Sequence, residues 1–116
     1  MRILGEIAKW ANEPEWSSTV AAIQLLNEPV LWKDYDYRLS QLKNFYRQAY
    51  DEIRKYNRGV VIAIHDAFIG YENWYYLRDD PHYYWIMLDT HLYQVFNKDW
   101  TNLSCDQHMN IPCEFR

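Results

Sequence analysis

Three apolar runs, each closed by polar groups, constrain this chain more than anything else in it. Val20 to Leu26 leads into Asn27-Glu28-Pro29, Val60 to Ile64 into His65-Asp66-Ala67-Phe68, and Tyr84 to Leu88 into Asp89-Thr90-His91-Leu92-Tyr93. Apolar runs of this length, bounded by breakers, read as strands buried on both faces, which is the pattern of a parallel sheet. Parallel strands need crossovers, and the intervening segments have the periodicity to supply them.

Between Arg2 and Asn12, residues Ile3, Leu4, Ile7, Ala8 and Ala11 recur at helical spacing. A loop over Glu13 to Ser18 follows, and a second over Pro29 to Tyr35 leaves the first strand. Asp36 is placed to cap a long helix from Tyr37 to Asn57, with Leu39, Leu42, Tyr46, Ala49, Ile53 and Tyr56 forming one apolar face. Arg58-Gly59 closes it, the glycine supplying a left-handed turn. Tyr71 to Leu77 reads as a short aromatic helix, Asp79-Asp80-Pro81 as a turn, and Thr101 to Met109 as a final helical start. Alternation of this kind makes right-handed βαβ units, so the expected class is α/β. At 116 residues the chain holds at most one modest domain.

In a parallel sheet all three strand exits lie on one edge, so their polar groups converge although distant in sequence. Several chemistries are then disfavoured. No Gly-rich loop follows any strand, which removes the usual nucleotide site. A net charge of −4 with scattered bases disfavours nucleic acid. No apolar run reaches the roughly 18 residues of a membrane span, and Met1 to Ile7 is too short and too early acidic for a signal peptide. His65, Asp66, Asp89 and His91 have ligand chemistry but no chelating spacing, so neither metal nor other cofactor is expected. No G-x-S-x-G elbow exists. Cys105 and Cys113 are peripheral; they pair together, stay reduced or pair elsewhere. Asn102-Leu103-Ser104 is a glycosylation sequon that has meaning only in a secreted chain.

Carboxylate acid/base work remains. Glycoside hydrolysis uses two carboxyl groups, one protonating the leaving oxygen and one acting as nucleophile or base. Glu28, at a strand exit under aromatic cover, suits the proton donor, with burial expected to raise its pKa. Asn27 beside it is placed to hold a sugar 2-hydroxyl. The four Phe, eleven Tyr and six Trp residues serve either core packing or stacking on sugar faces.

These residues carry a resemblance. Ile23-Gln24-Leu25-Leu26-Asn27-Glu28-Pro29 resembles the fourth-strand motif of glycoside hydrolase family 5. Ile64-His65-Asp66-Ala67-Phe68 and Asp89-Thr90-His91-Leu92-Tyr93-Gln94-Val95-Phe96 are similar to its fungal exo-β-1,3-glucanase branch. The likeness runs from about Ile3 to Cys113. It implies that Glu28 is the general acid/base and Asn27 its substrate-holding neighbour. By the same resemblance His91 and Tyr93 line the glycone subsite, Phe68 and Phe96 are aromatic contacts at the aglycone entrance, and Cys113 is a half-cystine whose partner lies outside this chain. Asp66 and Asp89 are expected to be structural. The implied substrate is a β-glucan or glucoside, cleaved from the non-reducing end with retention by an extracellular or wall-associated monomer without cofactor.

The departures from that pattern shape the remaining expectations. A (β/α)8 TIM barrel takes roughly 250 residues, and three strands, matching the fourth to sixth, are legible here. The nucleophile expected after the seventh is not among them, so nothing stands the roughly 5 Å from Glu28 that retention requires; Asp66, Glu72, Asp89 and Asp99 are poor substitutes. Residues 1–116 are therefore expected to be a piece of one catalytic domain, a truncated version or a decayed copy, with open sheet edges and no activity alone. The rival expectation is a non-catalytic α/β piece that binds carbohydrate or assembles with another half-barrel.

Overall fold

The computed structural model describes residues 1–114. In chain order the elements are α1 (Arg2–Ala11), β1 (Ala22–Gln24), α2 (Tyr35–Arg54), β2 (Val61–His65), a 3-10 turn (Tyr71–Trp74), α3 (Tyr76–Asp79), β3 (Ile86–Asp89), two further 3-10 turns (Gln94–Phe96 and Lys98–Trp100) and α4 (Cys105–Glu114). The strands form one parallel sheet in the order β1-β2-β3. The class is α/β, and the arrangement is consistent with three consecutive strands of a partial (β/α) barrel. No helix is long and apolar enough to cross a membrane.

Register sorts the side chains onto two faces. Ile23 pairs with Ile62, which pairs with Ile86, and Ile64 pairs with Leu88. These residues point one way and join Leu42, Tyr46, Ala49, Tyr50 and Ile53 of α2 in a single apolar cluster. Gln24, Ala63 and Met87 form the opposite row, with His65 beside Asp89 one step further toward the exits. Only β2 is buried on both sides. β1 alternates between exposed and buried residues, and Met87 in β3 is 48% exposed. The expectation of three strands buried on both faces therefore holds for the central one alone. The helices cover one face, and no described element covers the other across β1 and β3.

Local chemistry moved several boundaries. Asp36 does not cap α2; it lies in the first turn, where a carboxylate still favours the positive end of the helix dipole, and Asp34 holds the cap position with φ 50°. Gly59 does not supply the left-handed turn at the other end. The Asn57 side chain closes the helix exit instead, its Oδ1 accepting from the Gly59 and Val60 N–H groups at 3.0 and 2.9 Å. Buried Arg54 ties that exit to two strand entrances, donating to Val60 O at 2.8 Å and Tyr84 O at 2.8 Å. On α1 the buried residues are Gly5, Ala8 and Ala11, while Ile3 is 74% exposed and Ile7 is exposed as well. α1 lies close on α2, and a Cβ on Gly5 would come within 2.7 Å of Glu52 Oε1. Tyr56, expected on the apolar face of α2, is exposed. The last helix starts at Cys105 rather than Thr101, because Ser104 and Gln107 form a capping box: Ser104 N donates to Gln107 Oε1 at 2.9 Å and Gln107 N to Ser104 Oγ at 3.3 Å.

Candidate active site

Each strand leaves the sheet through a tight corner, and at two of the three the backbone is left-handed. Glu28 has φ 46°, and Ala67 and Phe68 have φ 58° and 59°. Non-glycine residues avoid this region, and the conformation persists only where its surroundings hold it. At the β2 exit the holding groups are visible. Ala67 N–H donates to His65 Nδ1 and Phe68 N–H to Asp66 Oδ1, both at 2.9 Å. Thr90 Oγ1 donates to Asp66 Oδ2 at 2.8 Å, and Trp74 Nε1 to Asp66 O at 3.0 Å. Asp66 is thus spent on the corner that aims Phe68 outward.

The β3 exit brings the remaining groups to Glu28. Glu28 Oε1 lies 2.7 Å from His91 Nδ1, and the Tyr93 hydroxyl donates to the same oxygen. On the far side of the ring, His91 Nε2 lies 3.1 Å from Asp89 Oδ2, which also accepts from Gln24 Nε2 at 2.9 Å. The His65 ring stands perpendicular to that of His91 at 4.5 Å between centroids, and Phe68 packs edge-on to His65 at 4.7 Å. In front of these groups opens a cleft of about 770 Å³, lined by Glu28, Phe68, His91, Tyr93, Phe96 and Trp100 among others.

The electrostatics differ from expectation at the central residue. Glu28 is half-buried, and hydrogen bonds from His91 and then Tyr93 hold its pKa below the ordinary glutamate value. Donors aimed at the carboxylate stabilise its charged form and outweigh desolvation. Its place at the strand exit predicts that burial under aromatic cover keeps this carboxyl protonated; it does not, because the cover arrives with hydroxyl and imidazole donors. Reciprocally, the bond to Glu28 raises the pKa of His91, with Asp89 adding to the effect. His65, fully buried, is pushed down by desolvation.

Glu28, His65 and His91 offer atoms within 4.8 Å of one another, a cluster that could hold a cation. It is not the set weighed from sequence, since Asp66 is turned to Thr90 and Asp89 lies behind His91. Its protonation argues against a metal. His65 Nδ1 accepts from Ala67, so Nε2 carries the ring proton and has no lone pair to give. Both nitrogens of His91 face carboxylates as well. The cluster therefore offers no free imidazole lone pair to a cation: His65 Nε2 is a buried N–H without a partner among the described residues, and the His91 nitrogens are taken up by Glu28 and Asp89.

Of the residues expected at the site, Glu28, His91, Tyr93, Phe68 and Phe96 meet in this cleft, Phe96 at its rim and 78% exposed. Asn27 is exposed and does not line it. Cys113 and Cys105 are exposed free thiols on α4. Gln24 and Trp100 were missed. A single amide within an apolar run, in the same alternation as the site face, was the available signal for Gln24.

No family model matches the chain. Among curated proteins it is 35% identical over 116 residues to glucan 1,3-beta-glucosidase I/II of Saccharomyces cerevisiae, covering 97% of this chain and 25% of that protein. It is 34% identical over 118 residues to glucan 1,3-beta-glucosidase of Schwanniomyces occidentalis (99% and 26%), and 28% identical over 111 residues to glucan 1,3-beta-glucosidase 1 of Schizosaccharomyces pombe (96% and 26%). The chain spans about a quarter of the length of the curated relatives it matches.

Proposed function

We propose that this chain is the acid/base-bearing segment of a retaining glycoside hydrolase of family 5, in the exo-β-1,3-glucanase branch, acting extracellularly or at the cell wall. The observation that carries the reading is the sharing of one Glu28 oxygen by His91 and Tyr93 at the mouth of an aromatic cleft. The similarity to glucan 1,3-beta-glucosidases over nearly the whole chain supports it.

In this reading Glu28 protonates the glycosidic oxygen and later deprotonates the attacking water. Phe68, Phe96 and Trp100 stack on sugar faces, and Asn27, exposed outside the cleft, would have to turn inward to meet the 2-hydroxyl of a bound glucosyl unit. Retention also requires a second carboxyl roughly 5 Å away. Among the described residues near Glu28, Asp89 is engaged by Gln24 and His91, and Asp66 by Thr90 and Phe68. Neither is free to attack an anomeric carbon. A nucleophilic carboxylate supplied from elsewhere would also raise the pKa of Glu28 by like-charge repulsion, giving the proton donor that the present surroundings disfavour.

The 116-residue chain is therefore expected to bind laminari-oligosaccharides without hydrolysing them. NMR titration should move signals of Phe68, His91, Tyr93 and Trp100 more with β-1,3-linked than with β-1,4-linked glucosides. No perturbation at the cleft would count against the reading. Turnover of an aryl β-glucoside that disappears in Glu28→Gln would mean that a second carboxyl is already present. The engagement of both nearby aspartates also favours a second reading, a non-catalytic carbohydrate-binding piece. Joining these residues to the parts of a relative that they do not span separates the two, since only the first reading then expects hydrolysis.

A further inference from the structure

Neutral imidazole has one N–H and one lone pair, yet both ring nitrogens of His91 lie against carboxylate oxygens, Glu28 Oε1 at 2.7 Å and Asp89 Oδ2 at 3.1 Å. A lone pair facing a carboxylate is repelled, so these two contacts together require two protons. Tyr93 also donates to Glu28 Oε1 and Gln24 to Asp89 Oδ2, so both oxygens already act as acceptors toward other groups. The protons therefore belong to the ring. The other groups turned toward it do not alter this balance. His65 presents a neutral ring from β2 with Asp66 behind it, and Lys98 lies on the wall of the same cleft.

We propose that Asp89, gripped by Gln24, is a positioning residue that holds His91 doubly protonated against Glu28, and that His91 stores the proton that Glu28 delivers in the first step and regains it once Glu28 has taken one from the attacking water. The transfer needs no new contact. The proton on Nδ1 moves along the existing hydrogen bond to Glu28 Oε1, leaving a neutral ring whose Nε2–H still points at Asp89. The charge of the Glu28–His91 pair is zero before and after. The use of that proton rests on the acid/base reading of Glu28, whereas the positioning concerns Gln24, Asp89 and His91 alone.

Long-range proton–nitrogen NMR of the 116-residue chain reads the protonation of each imidazole nitrogen across a pH series. In the wild-type chain both nitrogens of His91 should carry protons at neutral pH, with a midpoint above that of an ordinary histidine. Asp89→Asn keeps the shape and removes the charge, and its His91 midpoint should fall. Gln24→Ala should move it the same way by less, because Asp89 keeps its charge and loses its grip. A His91 midpoint unchanged in a folded Asp89→Asn chain overturns the proposal. If that variant loses its dispersed amide spectrum, an unchanged midpoint in Gln24→Ala overturns it instead. Glu28→Gln separates the two layers of inference. A fall there alone leaves the Glu28–His91 site standing and removes Asp89 from it, while sugar binding at the cleft is judged by the oligosaccharide titration.

Discussion

On the helix side of the sheet Ile23, Ile62, Ile64 and Leu88 pack with Leu42, Tyr46, Ala49 and Ile53; on the other side Gln24, Met87 and Asp89 flank the buried Ala63 and His65 on a face that the described helices leave open across β1 and β3. The first set is held by apolar burial, which is non-directional and insensitive to pH. The second is held by hydrogen bonds among ionisable groups, each dependent on where a proton sits. Both sets come from the same strands at alternate positions. Stability and chemistry are thus separated by one residue of register, and a slip by one would exchange them.

The sharpest way to break that comparison is to cut a hole in the packed face. Ile62 is fully buried in the central strand. Ile62→Ala is expected to cost about 2–5 kcal/mol, the lost transfer energy plus the cavity left behind. Denaturant unfolding followed by circular dichroism checks the loss. At pH values where the variant remains folded, the His91 titration should be unchanged. A titration that moved with the cavity would show that the two faces are not independent.

A smaller effect is expected where the faces touch. Tyr46 rises from the apolar side and donates its hydroxyl to the backbone carbonyl of His65 at 3.0 Å. Burial pushes the phenol pKa up, so it remains a neutral donor. Tyr46→Phe should cost about 1 kcal/mol, the usual net worth of such a bond. A loss as large as that of Ile62→Ala, measured by the same unfolding assay, would make this bond a support of the β2 exit rather than one contact among many.

What could be read in the sequence follows the same division. The strands, their order and the convergence of Glu28, His91, Tyr93, Phe68 and Phe96 were legible, because apolar runs with polar ends encode both the sheet and its working edge. Gln24 was not, since one amide in an apolar run does not announce which face it points to until the register is known. Ile3 and Ile7 misled for a related reason. Helical spacing identifies a face, but the close approach of α1 to α2 selects the small residues Gly5 and Ala8 over the larger ones. The ends of α2 depended on side-chain bonding, through Asn57, that no periodicity reports. The charge on Glu28 does not follow from aromatic cover alone, because a tyrosine covers and donates at once, and Tyr93 brings its hydroxyl to the carboxylate.

The smallest expected effect, and the one most specific to the open face, is in the pH dependence of stability. The folded pKa of Glu28 is depressed, so its contribution is present above its unfolded value and is lost as pH falls through the folded one. His91 is raised, so its contribution is present below the ordinary histidine value and is lost as pH rises through the folded one. His65 is lowered, and its burial imposes a penalty that appears as pH falls below the ordinary histidine value, since the unfolded chain then takes the proton more readily. Two histidine rings 4.5 Å apart therefore push stability in opposite directions over neighbouring pH ranges. Urea midpoints should decline on the acid side through Glu28 and His65, and on the alkaline side through His91. Glu28→Gln should flatten the alkaline decline, because His91 loses the nearer of its two carboxylate partners, and should leave the His65 part of the acid decline in place. An alkaline limb unchanged in that variant would mean that the Glu28–His91 bond does not carry the stability that its geometry implies.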